Sequence, residues 1–185
     1  MILAVTGTNG SGKGTVHEYL KTKGFTHYSA RDLIVEEIQK QGLVVNRDTL
    51  NRIGNELRKK HGPDHVAHTL YERALQQGGD AVIESIRAIG EALFLKERGV
   101  KLIAVDADRK MRYARAVLRA SETDRVSFEE FVEQENRELA QTADYDMNIQ
   151  GVMALADFTI QNDGSLEDFH QALDGIVDEL KTREA

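Results

Sequence analysis

Short apolar or β-branched runs alternate along this chain with longer stretches of helical periodicity. The runs fall at residues 2–6, 25–28, 81–83, 102–105 and 157–160. Near-continuous apolar character, rather than strict in-out alternation, marks strands buried on both faces. Strands separated by helices predict a mainly parallel sheet with right-handed crossovers and helices on both sides, an α/β fold of three layers. In such sheets ligands bind beyond the carboxyl ends of the strands. Between the second and third runs, residues 33–77 are long for one crossover. They predict helices at about 31–41, 47–60 and 64–77, a small helical insertion. Residues 121–150, polar and glutamate-rich, are a candidate lid. Ser127-x-x-Glu130 and Ser165-x-x-Asp168 read as capping boxes, and Pro63 suits a first helical turn.

The first run leads straight into Gly7-Thr8-Asn9-Gly10-Ser11-Gly12-Lys13-Gly14-Thr15, which contains the spacing G-x-x-x-x-G-K. Glycine lets a backbone wrap tightly enough for its N–H groups to point inward, and the helix that starts at Lys13 adds its positive end. The loop therefore predicts a cradle for the phosphates of ATP, with Lys13 a mobile charge for the β- and γ-phosphates. A strand before the turn and a helical pattern after it supply the context that this motif needs. Gly14 stands directly after the lysine and the hydroxyl comes one residue later, on Thr15. Thr15 is thus expected to meet a phosphate oxygen or a Mg²⁺-bound water rather than the ion itself.

Composition narrows the setting. At 185 residues with 41% apolar content, the chain fits one domain with a full core. The lack of cysteine excludes disulfides, thiolate metal sites and thiol nucleophiles, and the cytoplasm is the expected location. No basic leader or membrane-length apolar window is visible, so no membrane partner is expected. A net charge of −7 repels polyanions, so no nucleic-acid partner is expected. A monomer is expected, a homodimer being the alternative.

A phosphate cradle does not reveal what is done with the nucleotide. Phosphoryl transfer needs charge neutralised on the migrating group and water excluded, hence arginines that converge. Arg112, Arg115 and Arg119 follow the fourth strand, with Arg115 and Arg119 four apart on one helix face. Arg87 lies just beyond the third strand. Arg58 is a candidate for the acceptor, but with Lys59 and Lys60 it also suits the C-terminal dipole of its helix. Asp32 could take a proton from an attacking hydroxyl or bind an acceptor, or simply stabilise the first turn of its helix. Glu84 and Asp106 end the third and fourth strands, and Glu84 is favoured to hold Mg²⁺ through its water shell. His61, His65 and His68 cluster without a suitable third ligand and read as solvated helix histidines.

Together these residues resemble the nucleoside monophosphate kinase group of P-loop kinases, adenylate kinase and its relatives, and also dephospho-CoA kinase. Gly12-Lys13-Gly14-Thr15 is the adenylate kinase form of the loop. Tyr28-Ser29-Ala30-Arg31-Asp32 is similar to the segment after the second strand in both families. Val82-Ile83-Glu84-Ser85-Ile86-Arg87 resembles the adenylate kinase strand ending, which implies that Arg87 contacts the acceptor phosphate. Arg115 and Arg119 match lid-entry arginines that face the transferring phosphates, and Arg137 matches more weakly. The segment from Ala156 to Glu167 looks like the dephospho-CoA kinase ending, whose backbone at Asp163 and Gly164 would lie against the adenine.

The resemblance implies a five-stranded parallel sheet in the order 2-3-1-4-5 with an acceptor-binding insertion and a lid. It also implies transfer of the ATP γ-phosphoryl group, with Mg²⁺, to a small nucleotide-like acceptor. That acceptor would be a nucleoside or deoxynucleoside monophosphate, with dephospho-CoA the alternative. Arg31, Asp32, Arg58, Arg87 and Arg137 would bind it. A P-loop ATPase or nucleotide-sensing module without an acceptor is the reading from a different class.

Overall fold

In the computed structural model, which describes residues 1–119, 126–139 and 145–184, five strands form one parallel sheet. They are β1 (Ile2–Gly7), β2 (Thr26–Ser29), β3 (Ala81–Glu84), β4 (Lys101–Asp106) and β5 (Phe158–Gln161), and they lie in the order β2-β3-β1-β4-β5. The helices are α1 (Lys13–Thr22), α2 (Ala30–Lys40), α3 (Arg47–His61), α4 (His65–Gln77), α5 (Ile89–Glu97), α6 (Arg109–Arg119), α7 (Phe128–Leu139), α8 (Ile149–Ala154) and α9 (Leu166–Glu184). Each expected strand is present, its ends within a residue or two of the apolar run that marked it.

The period-two geometry of β1 distributes its side chains to two cores. Leu3 and Val5 point to one face and pack with Val16 and Leu20 of α1 and Phe169, Leu173 and Val177 of α9. Ala4 points to the other, among Val66 and Leu70 of α4, Leu95 of α5 and Val152 of α8. Burying both faces leaves no room for polar alternation, which is why β1, β3 and β4 read as continuous apolar runs, whereas the edge strands β2 and β5 keep polar, partly exposed positions. α2 and α3 hold a third, small core of Ile34, Ile38 and Ile53.

Local signals set the helix ends. Asn46 and Thr49 exchange capping hydrogen bonds at the start of α3. Ser127 with Glu130, and Ser165 with Asp168, close the two expected capping boxes. Pro63 lies two residues ahead of α4 rather than within its first turn, and an added Cβ at Gly90 would come within 2.7 Å of it. Of the candidate lid at 121–150, residues 121–125 and 140–144 lie outside the described residues. The rest comprises α7 and the start of α8.

Candidate active site

The carboxyl ends of β1, β2 and β3 open into a cavity of about 770 Å³, within the range that small-molecule sites occupy. The loop between β1 and α1 forms one wall. Gly12 caps α1 with φ +112°, and a Cβ there would sit 2.3 Å from Nδ2 of Asn162, so only glycine fits without displacing that side chain. Asn162, following β5, donates from that Nδ2 to the Ser11 carbonyl at 2.8 Å. Thr8 Oγ1 donates to Asp106 Oδ1 at 2.6 Å, anchoring the loop to the end of β4. Lys13 is buried, and its Nζ donates to the carbonyls of Gly7 at 2.9 Å and Thr8 at 2.7 Å.

Across the cavity stand Arg31 and Asp32 at the start of α2, Arg47 and Asn51 on α3, and Arg87 after β3. Asp32 caps nothing with its carboxylate; its backbone N–H is what donates to Ser29 Oγ, at 3.1 Å. Its side chain is 69% exposed and 4.0 Å from Arg31. Arg115 and Arg119 of α6 reach the same cavity, Arg115 through a hydrogen bond to the Asn162 carbonyl and Arg119 through one to Asn9 Oδ1. Nη1 of Arg115 is buried and makes no hydrogen bond.

Two arginines are committed to structure. Arg58 lines the cavity, yet its Nε donates to Glu91 Oε1 at 2.7 Å with both side chains almost fully buried. Glu91 also accepts from the backbone N–H groups of Arg87 and Ala88, so one carboxylate ties α3 to the turn that carries Arg87. Arg112 is buried too. It donates to the Ala107 carbonyl, the Asn9 carbonyl and the Glu135 carboxylate, fastening α7 and the phosphate loop to α6. Arg137 lies on α7, and its side chain is outside the described residues.

Glu84 faces the cavity at the end of β3. Burial opposes its ionisation, but His27, Lys13, the Ser85 hydroxyl and Arg87 outweigh that and hold its carboxyl down to about 2. Ser85 Oγ donates to Glu84 Oε1 at 2.6 Å, and Ser85 is the sole non-glycine residue with positive φ among those described, at 70°. Asp106 is spent on Thr8 and on the N–H of Ala107, which leaves Glu84 the better placed of the two strand-end carboxylates. Asp163 accepts from the Asp108 N–H and from Gln161, and Gly164 follows it in the exposed turn before α9.

Several lining residues carried no expectation from sequence: His17, His27, Ser29, Arg47, Asn51, Ser85 and Met147. One had a readable signal, since His17 stands one helical turn after Lys13, on the same face of α1.

Residues 3–143 match the family model described as AAA domain. Two UPF0200 proteins are similar over nearly the whole chain. The one from Thermococcus kodakarensis is 30% identical, covering 97% of this chain and 98% of its own length. The one from Pyrobaculum aerophilum is 31% identical, covering 97% and 98%. The chain belongs to the UPF0200 family of AAA-domain proteins.

Solved structures agree on the fold. TT1252 from Thermus thermophilus superposes with a TM-score of 0.65 at 24% identity, covering 97% of each chain. Shikimate kinase from Bacteroides thetaiotaomicron gives 0.62 at 14% identity, covering 96% of this chain and 98% of its own. Dephospho-CoA kinase from Campylobacter jejuni gives 0.58 at 18%, covering 100% and 98%. The expected sheet order and the likeness to P-loop nucleoside monophosphate kinase-like folds are borne out. Among the described residues no helix is long and apolar enough to cross a membrane.

Proposed function

We propose that this chain transfers the γ-phosphoryl group of Mg-ATP to a small nucleotide-like acceptor, a nucleoside or deoxynucleoside monophosphate. One observation carries the reading: the Lys13 loop and six arginines, Arg31, Arg47, Arg58, Arg87, Arg115 and Arg119, line a single cavity. A hydrolase or a sensor needs the first group but has no use for cations on the far wall. A kinase needs both, because donor and acceptor are anions that must meet.

In this reading the loop N–H groups and Lys13 hold the donor phosphates, and Lys13 leaves the Gly7 and Thr8 carbonyls to do so. Arg31 and Arg87 fix the acceptor, with Arg58 supporting that wall through Glu91. Arg115 and Arg119 meet the charge that develops as the acceptor oxygen bonds to the γ-phosphorus and the bridge to ADP breaks. The backbone at Asp163 and Gly164 borders the adenine. Thr15 and Glu84 offer oxygen donors in the same cavity, a set that suits Mg²⁺ held through water. When bound, Mg²⁺ supplies charge neutralisation on the phosphates.

A hydroxyl acceptor such as dephospho-CoA is the second reading. It is favoured by Asp32, whose exposed carboxylate lines the cavity and could take the proton. A monophosphate is already an anionic nucleophile and needs no base.

ADP release assayed against a panel of monophosphates and dephospho-CoA tests the proposal. Turnover should depend on one acceptor, and Asp32→Asn should leave it nearly unchanged if that acceptor is a monophosphate. A large loss in Asp32→Asn assigns a hydroxyl acceptor. Turnover of equal rate without any acceptor refutes both and leaves an ATPase or sensing module.

A further inference from the structure

Beside the phosphate loop, next to Glu84, lie two histidines that phosphoryl transfer does not call for. His17 of α1 stacks on His27 of β2, with ring centroids 3.8 Å apart and planes inclined by 2°. Nε2 of His27 is 3.9 Å from Oε2 of Glu84, too far for a hydrogen bond. One donor atom from each of the three residues lies within 4.8 Å of the other two. All three residues face the cavity.

The polar atoms here are not satisfied. Nδ1 of His17 and Nε2 of His27 are both shut off from water, and neither makes a hydrogen bond. Buried polar atoms almost always have a partner, so a pair of orphans beside an ionised carboxylate points to something that binds between them. Ser85 holds the other Glu84 oxygen, Oε1, leaving Oε2 turned toward His27. Glu18 stands 3.3 Å from Nδ1 of His17. Lys13 and Arg87 are the cations near Glu84, and both oppose a further positive charge there.

We propose that His17, His27 and Glu84 bind a borderline divalent cation, of the class of Zn²⁺ or Co²⁺, on the acceptor side of the phosphate loop. Two imidazoles and a carboxylate form a donor set that such ions favour, whereas Mg²⁺ prefers oxygen alone. At metal–ligand distances of about 2.1 Å, tetrahedral donors stand roughly 3.4 Å apart. The His27–Glu84 gap is therefore about half an ångström too wide, and the parallel imidazole planes must tilt apart before both in-plane lone pairs can meet one ion; side-chain rotation has to supply both changes. Three protein ligands leave a fourth position, which opens to the cavity, where an acceptor oxygen could occupy it. That last role rests on the phosphoryl-transfer reading; the binding itself does not.

The test is titration of the chelator-treated full chain with Co²⁺, followed by visible absorption, with Zn²⁺ as competitor. One equivalent should bind, with the intense bands of a tetrahedral site, and should persist in a large excess of Mg²⁺. His17→Ala and His27→Ala should each weaken binding by more than the roughly 10–100-fold typical of losing an outer partner. His68→Ala, on the exposed face of α4, should bind like the parent. Circular dichroism checks that the variants fold, and Glu84→Gln supplies a near-isosteric ligand loss if a histidine variant does not. No stoichiometric Co²⁺, displacement by equimolar Mg²⁺, or ligand variants that bind like the parent would each overturn the proposal. Displacement of a fluorescent ATP analogue, measured separately, keeps the two readings apart. ATP binding without Co²⁺ removes only the cation site, and Co²⁺ binding without ATP removes only the kinase.

Discussion

Glu91→Ala is the sharpest perturbation of the acceptor wall. The Glu91 carboxylate is fully buried and accepts from Arg58 Nε at 2.7 Å and from the N–H groups of Arg87 and Ala88 at 3.1 Å each. Removing it strands the Arg58 guanidinium, whose side chain is 1% exposed, without a counter-charge. Breaking one side of such a pair costs about 3–5 kcal/mol, and the lost cap at α5 adds about 1 kcal/mol. Against a typical total of about 5–15 kcal/mol, that loss is large. At roughly 2–4 °C per kcal/mol for a chain of this size, the midpoint should fall by about 10–20 °C.

Urea unfolding followed by circular dichroism measures the cost directly. The double variant Arg58→Met/Glu91→Leu should recover most of it, because apolar side chains of similar volume replace a buried pair with little penalty. A single-variant cost under about 1 kcal/mol, or a double variant no more stable than the singles, would refute the structural role given to this pair. Kinetics of the double variant then test whether the Arg58–Glu91 pair contributes to acceptor binding. A folded double variant with unchanged acceptor KM leaves that arginine no part in binding.

Three further outcomes are expected. Lys13→Ala should lose about 10²–10³ in kcat, equivalent to about 3–4 kcal/mol of transition-state stabilisation, in a steady-state ADP-release assay; a near-parent kcat contradicts the donor-site role. Arg87→Ala should raise acceptor KM more than ATP KM, read from initial rates with each substrate varied in turn, and equal effects on both would remove it from the acceptor wall. Glu84 is held at about 2 against an ordinary 4.5, so the folded chain binds fewer protons than the unfolded one between those values. Its contribution, of the order of 3 kcal/mol, is complete above about pH 4.5 and is lost as pH falls toward 2. Urea titrations across that window should show Glu84→Gln with a flatter dependence than the parent.

The central strands β1, β3 and β4 were legible because burial on both faces leaves a plain signal, an apolar run, and the edge strands β2 and β5 because β-branched and aromatic residues stand between helical stretches. The loop was legible because its glycines answer to backbone geometry alone. The arginines were legible only in part. Spacing put Arg115 and Arg119 on one helix face, and both reach the cavity. Nothing local distinguished Arg112, whose partner Glu135 comes 23 residues later on another helix. Glu91 does carry a signal in the sequence. It is a lone carboxylate in the apolar stretch from Ala88 to Leu95, and a charge in such a place needs a partner. Which cation would answer it, Arg58 from 33 residues earlier, depends on how α3 and α5 both pack on α4.

The hydrogen bonds around the loop bear on how it binds. Thr8 is tied to β4 through Asp106, Ser11 to the turn after β5 through Asn162, and Asn9 to α6 through Arg112 and Arg119. A loop held from three elements does not need ordering when phosphate arrives, so little entropy is lost on binding. What must change is local. On the proposed function, Lys13 would give up two carbonyl hydrogen bonds and Arg119 would exchange Asn9 Oδ1 for phosphate oxygen. Charge-assisted bonds to phosphate are stronger than those they replace, so the exchange favours the bound state. Asn9→Ala removes the acceptor of the Arg119 tie and leaves the Ser11 and Thr8 anchors in place, so the variant should bind a fluorescent ATP analogue at least as tightly as the parent; markedly weaker binding would show that the tie shapes the loop rather than competing with phosphate.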